Sequence, residues 1–591
     1  ASNNTAVGSS ALGANTTGTQ NVAVGANAID ANTTGLNNTG VGYATLTSNT
    51  TGGQNTALGS LALDANTTGS NNTAGGVSAL STSTTASENT AFGYQALFLN
   101  TTGEQGTVVG SRAGAAVTTG NRNTFIGYSS GQSTTTADDN TAVGRGTFSN
   151  NTTGSDNVAI GMGALHASTT ASNNTAVGKS ALAANTTGSL NAAVGTQALA
   201  SNTTGAGNTA VGYQSLNGNT TANNNTALGY QALLTNSTGS SNTGLGLEAL
   251  KLNTTGTNNV AVGENALEAN TTASNNTAVG KDALLVNTTG GNNTAVGLNS
   301  GSGNTTGSDN ISMGVNSFRL NTTGSNNTAL GRDALESNTT ASNNTAVGYQ
   351  ALIANTTGTS NTAVGTNALD ANTTGIENTA VGGGACTNIT TADSNVGVGA
   401  NALRDLTTGS NNAAVGGGTG AEVTTGSNNV LVGIGAGRST SPSGTITTGS
   451  NNVCLGNNSI SNLFCADTSI SSSDSRDKTD VESFNIGLAW IEALRPVTYR
   501  WDRRTWYGTE EEPYGTPDGS KKRARLHLGF LAQEALEVEK ANGYGNSNDD
   551  SLILNLTDDG MTYGMKYERL VPILVNAIKE LSAKVTALEA G

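Results

Sequence analysis

The chain has 591 residues, of which 11% are charged and 4% aromatic, and it carries a formal net charge of −15. So thin an acidic charge excludes the basic footprint of a nucleic-acid binder, and the lack of any run of about 18 apolar residues excludes a predicted transmembrane helix. The two histidines and three cysteines (Cys386, Cys454, Cys465) fall in no metal-ligand spacing, and an odd cysteine count argues against a disulfide framework, so neither a metal nor another cofactor is expected.

Composition changes sharply near residue 473. Of 25 Lys and Arg, 10 precede it, and of 40 Asp and Glu, 20 precede it. The first 472 residues are therefore about 6% charged and the last 119 about 29%, close to the globular norm of about 25%. All three tryptophans (Trp490, Trp501, Trp506) lie in the last part, and all five prolines lie at or after Pro442.

Residues 1–472 repeat every 17 residues. Asn4, Asn21, Asn38, Asn55, Asn72 and Asn89 open copies of Asn-Thr-Ala-Val-Gly-x-x-Ala-Leu-x-x-Asn-Thr-Thr-Gly-x-x, and the register holds to Asn429. After an irregular insertion near 434–451, one more copy opens at Asn452, followed by a linker over 457–472. A fixed short period predicts a solenoid, here a mostly β chain of 17-residue coils. The fifth position is Gly from Gly8 through Gly433, which requires a positive φ or close backbone approach. The fourth position is apolar except at Gly75, and the ninth is usually Leu. These two are expected to point inward, flanked by small Ala. The Asn-Thr-Thr-Gly segment reads as a turn, with its Asn aligned into ladders. Coils so thin are expected to pack against other chains. The short unit resembles the β-roll of trimeric autotransporter adhesin heads and the repetitive shafts of phage tail fibres.

Residues 473–591 read as a small α+β domain. A helix is predicted over 486–494, a strand over 497–501 and a hairpin or loop over 508–525. A strand over 526–531, a helix over 533–540 and a short strand over 552–554 follow. The basic run Lys521-Lys522-Arg523-Ala524-Arg525 reads as a solvated loop. The end, 568–589, is a heptad helix. Val571, Ile578 and Val585 fall at one position, and Leu574, Leu581 and Leu588 at the other, a coiled-coil pattern. Taken alone this pattern leans to a dimer.

The boundary hexapeptide Ser473-Asp474-Ser475-Arg476-Asp477-Lys478 can place a nucleophile beside a base. A serine hydroxyl needs an adjacent base, and Lys478 serves only when neutral, so its ordinary value of about 10.4 must fall. Asp474 and Arg476 are expected to support the segment. The cut would fall between Ser472 and Ser473.

The domain is similar to the intramolecular chaperone of phage tail spikes, endosialidases and tail fibres. The residues that carry the similarity are Ser473-Asp474-x-Arg476-x-Lys478, Leu494-Arg495-Pro496-Val497-x-Tyr499, Leu528-Gly529-Phe530-x-Ala532-Gln533-Glu534 and Tyr567-x-x-Leu570-Val571-Pro572. The resemblance implies a homotrimer that templates shaft assembly and is released by self-cleavage. It points to a structural virion protein, a tail-fibre or spike shaft for host-surface attachment. Its partners would be itself, an upstream virion attachment protein and a glycan or protein receptor, with no membrane insertion. A cell-surface adhesin or appendage filament is the alternative, and an ice-binding solenoid a weaker one.

Overall fold

Each repeat closes into one coil, and positions two to four form its only strand. There are 27 such three-residue strands, from β1 (Thr5–Val7) to β27 (Val453–Leu455), joined into one sheet. The chain is described by a computed structural model over residues 1–460, 481–509, 512, 514–547, 549–556 and 563–591. It divides into two units, Ala1–Gly437 with Ile446–Leu455, and Arg438–Thr445 with Gly456–Gly591.

All solenoid pairs are parallel and step by one repeat, as in Thr209↔Thr226, Ala210↔Ala227 and Val211↔Leu228. The insertion changes the step but not the pairing, so Val430 meets Val453. The fifth-position glycine explains the spacing. Gly178 sits at φ 134°, and a Cβ there would lie 2.5 Å from the carbonyl oxygen of Gly195 in the next coil. No L side chain fits that gap.

The corners turn through left-handed residues at the seventh, ninth and seventeenth positions, such as Ser180 (φ 57°), Leu182 (φ 52°) and Leu190 (φ 63°). A buried leucine in this region costs roughly 1–2 kcal/mol. Burial of its side chain and the bond from Leu182 N to Ala198 O, 3.0 Å, offset that cost.

Two columns of buried asparagine run through the solenoid. At the first position the backbone N–H donates to the preceding coil's Asn, as Asn38 N to Asn21 Oδ1 at 2.9 Å, along a column interrupted at Gly106. At the twelfth, Asn66 Nδ2 donates to Asn49 Oδ1 at 2.8 Å and to Gly69 O at 3.0 Å. Buried polar groups are tolerable only when bonded in this way. Where the column breaks, the cost shows. Ser83 replaces the next asparagine, and both Asn66 Oδ1 and Ser83 Oγ are buried without a partner. The same follows at Asn100, before Val117, and at Asn372, before Ile389.

The expected inward pair is half right. The ninth-position leucines are buried, but the fourth-position side chains point out. In β14 (Thr226–Leu228) the middle Ala227 is fully buried while Leu228 is 45% exposed. Successive strand side chains alternate faces, so Ala at position three and Val at position four cannot both face inward. The interior of a 17-residue coil is filled by two alanine methyls and one leucine, as by Ala193, Ala198 and Leu199. Cys386 takes a leucine place and is fully buried, which pushes its thiol up to about 12.

The C-terminal unit contains α1 (Leu488–Ala493), β28 (Val497–Tyr499), β29 (His527–Gly529), α2 (Ala532–Ala541), β30 (Leu554–Leu556), β31 (Tyr563–Met565) and α3 (Leu570–Glu589). β28 and β29 pair antiparallel, as do β30 and β31. The strand expected at 552–554 lies two residues later, and β31 was not foreseen because Tyr-Gly-Met has no alternation to read. Trp490, Leu494, Ala535, Leu536, Ile553, Leu570 and Ile573 are part of its core.

Two substitutions test this account. Ser83→Asn would restore a bond on each side of the break and is expected to stabilise its coils by about 2 kcal/mol, read by amide hydrogen exchange around residues 66–100. Gly178→Ala places a Cβ against Gly195 at a positive φ and is expected to cost at least about 1–3 kcal/mol by the same measurement.

Candidate functional site in the C-terminal unit

The motif residues Ser472, Ser473, Asp474, Arg476 and Lys478 lie outside the described residues, as does the linker from residue 461 onward. The chain that follows the motif is held firmly on α3. Asn576 Nδ2 donates to Phe484 O at 2.7 Å and to Ile486 O at 3.3 Å. Glu580 Oε2 accepts from Leu488 N at 3.0 Å, which places a carboxylate at the N-terminus of α1, where it is favoured by unpaired N–H groups. A Cβ at Gly487 would meet the Glu580 carboxylate, so a larger residue there would push that side chain aside. Trp490 and Leu494 then enter the core beside Leu570 and Ile573.

The three downstream sequence marks converge in space. Arg495 forms a two-pronged ion pair with Glu534, with Nε 3.1 Å from Oε2. Hydrogen bonding to Arg495 holds the exposed Glu534 carboxyl below its usual range. Val497 pairs with Gly529 across the β28–β29 ladder, and Tyr499 stacks on His527 at 5.5 Å. Phe530 N donates to Tyr567 Oη at 3.2 Å. The spacing of these marks is thus the spacing of one packed junction.

Glu539 on α2 supplies a joint that sequence reasoning missed. Its carboxylate is fully buried and accepts from Ile553 N at 2.6 Å and Ser551 Oγ at 2.9 Å. No motif announces it; a lone glutamate among Glu534, Glu537 and Glu539 gives no signal of burial.

The basic run is exposed at Lys521, Lys522 and Arg525, yet part of it rests on rings. Lys521 lies 5.0 Å from the Tyr507 centroid and Arg523 lies 5.1 Å from that of Trp506. Arg503 covers Trp501 at 4.5 Å. Burial, then the nearby Arg523 charge, pulls Arg503 below the usual guanidinium value.

α3 has two apolar faces. Leu570, Ile573 and Ala577 are buried in the unit's own core. The heptad residues Val571, Leu574, Ile578, Leu581, Val585 and Leu588 are exposed, Ile578 at 65% and Leu588 at 82%. No described helix is long and apolar enough to cross a membrane.

Residues 473–544 match a peptidase family model described as the chaperone of endosialidase. The match begins at Ser473 and ends before β30, β31 and α3. No curated protein and no solved structure matches the chain. Fold and match together support a C-terminal chaperone on a β-solenoid shaft. The peptidase family also suggests that the chaperone region cleaves itself from the chain.

Glu539→Ala leaves the buried N–H of Ile553 without its acceptor and removes one of the two acceptors of the Ser551 hydroxyl, which keeps Leu554 O. It is expected to destabilise the C-terminal unit by about 1–3 kcal/mol, measured as a lower denaturant midpoint of the tryptophan fluorescence transition, since all three tryptophans lie in residues 473–591.

Proposed function

We propose that the chain is a tail-fibre or spike shaft for host-surface attachment, assembled as a homotrimer by its C-terminal domain, which then cuts itself off between Ser472 and Ser473. The observation that carries this reading is the order along the chain: a 27-strand solenoid whose last strand ends at Leu455, then a chaperone match that begins at Ser473, where the composition turns globular. An upstream virion attachment protein and a glycan or protein receptor on the host surface are the partners this role requires.

The proposed chemistry is an attack by Ser473 Oγ on the Ser472 carbonyl carbon. Neutral Lys478 takes the hydroxyl proton and passes it to the Ser473 amine as the C–N bond breaks, which completes an N→O acyl shift and leaves Ser472 esterified to Ser473 Oγ. Water then hydrolyses the ester, freeing the Ser472 carboxylate and restoring the Ser473 hydroxyl. Asp474 and Arg476 orient the segment. A single turnover suffices.

The assembly logic follows from the repeat. A slip by one coil preserves the sequence pattern, so the solenoid supplies little to align separate chains. Non-local β assembly is also slow and exposed to aggregation. An exposed apolar seam on α3 can bring chain ends together first. Cleavage afterwards leaves a shaft that is kinetically held.

The test is intact mass of the freshly expressed chain beside Ser473→Ala and Lys478→Ala. The expected result is fragments 1–472 and 473–591 from the wild type and an uncut chain from both variants. A wild type that stays whole under folding conditions would refute self-cleavage.

A further inference from the structure

The solenoid leaves a continuous apolar row uncovered. At the fourth position an aliphatic or aromatic side chain faces away from the core, from Val7 to Leu455. Val41, Phe92, Ile160, Leu228 and Met313 are each 39–45% exposed. The strands pair without a shift in register from coil to coil, so these side chains form one row with a member roughly every 4.8 Å. The row's single gap, at Gly75, lies under the ring of Phe92. Beside it, at the sixth position, stand half-exposed tyrosines such as Tyr213 and Tyr230, stacked at 5.4 Å. Contiguous apolar surface on this scale marks an interaction site.

We infer that this row is the lateral interface between copies of this chain, packed side by side and parallel along the shaft. The inference names the contact surface for the self-association proposed above, and rests on that reading. Pitch is the first argument. A partner must offer apolar groups at the same spacing over 27 strands, and a second copy does so by construction. Area is the second. With most of these residues 36–57% exposed and the others, Gly75 aside, partly exposed, the row and its flank offer on the order of 1,500 Å² per chain, against the ~800 Å² per partner of a standard stable interface.

Charge is the third argument. No fourth position carries an ionisable residue, whereas the sixth carries Arg145, Lys179, Glu264, Lys281 and Arg332. A dry centre with a polar, charged rim is the anatomy of a protein interface. Orientation is the fourth. The row does little to set direction or register, because nearly every coil presents an apolar group of similar size. The exposed α3 seam can, and only parallel copies bring their α3 helices together at one end. The row supplies area and α3 supplies alignment.

Cysteine cross-linking of the full chain tests this in a Cys465→Ser background, with buried Cys386 and Cys454 retained. Leu228→Cys lies in the row, and Thr238→Cys lies at an exposed position outside it. Oxidation is expected to join chains through residue 228 more than tenfold faster than through residue 238. Adding Val194→Glu, Leu245→Glu and Val296→Glu to the Leu228→Cys chain is expected to bring its rate down to that of residue 238, with the far-UV circular dichroism unchanged. Equal rates at the two positions, or a rate at 228 indifferent to the glutamates, would overturn the interface while leaving self-association standing. A wild type that sediments with the mass of one chain would overturn both.

Discussion

Everything in the solenoid depends on how closely one coil lies on the next. The fifth-position glycine has no Cβ because the neighbouring backbone occupies that space, as at Gly178 against Gly195. Once that approach is set, the strands fall into unshifted parallel register, and each side-chain position becomes a column. A column of asparagine can then bond to itself from coil to coil, a column of leucine can fill the interior, and a column of valine can form an outward ridge. Change the spacing and all three fail together.

The interior is not uniform along the chain. Through most of the solenoid the twelfth position is a bonded asparagine, fully buried and satisfied by its neighbours, as at Asn236 and Asn253. From residue 389 the same column becomes Ile389, Leu406, Val423 and Ile446, all buried. These C-terminal coils exchange directional bonds for hydrophobic burial, which is worth roughly 25 cal/mol per Å² and needs no exact partner. Such coils stand in the sequence before the segment that leads to the residues matching the chaperone model.

How much of this was legible in the sequence depended on the kind of signal. The 17-residue period, the glycine at position five and the buried leucine at position nine were readable because repetition isolates what each position tolerates. The direction of the fourth position is not legible in the same way. Its apolar character alone suggests burial, but the pleat makes Ala210 and Val211 face opposite ways, and the thin coil takes the smaller one inside. The left-handed leucines were not foreseen either, because no propensity rule places Leu182 at φ 52°. In the C-terminal unit the sequence marks were visible as separate strings. That Arg495 reaches Glu534, and that Tyr567 reaches Phe530, is set by folding distances the sequence does not display. The buried Glu539 gave no signal at all.

The central claim is that the solenoid acquires its order from the C-terminal domain and keeps it afterwards. The most direct measurement compares residues 1–472 expressed alone with the same fragment obtained from the whole chain after cleavage. Parallel-β circular dichroism and sedimentation mass are the readouts. The account predicts that the fragment made alone is aggregated or unfolded, while the fragment cut from the folded chain stays multimeric and ordered. If residues 1–472 made alone reach the same mass and the same spectrum, the shaft needs no chaperone and the account is wrong.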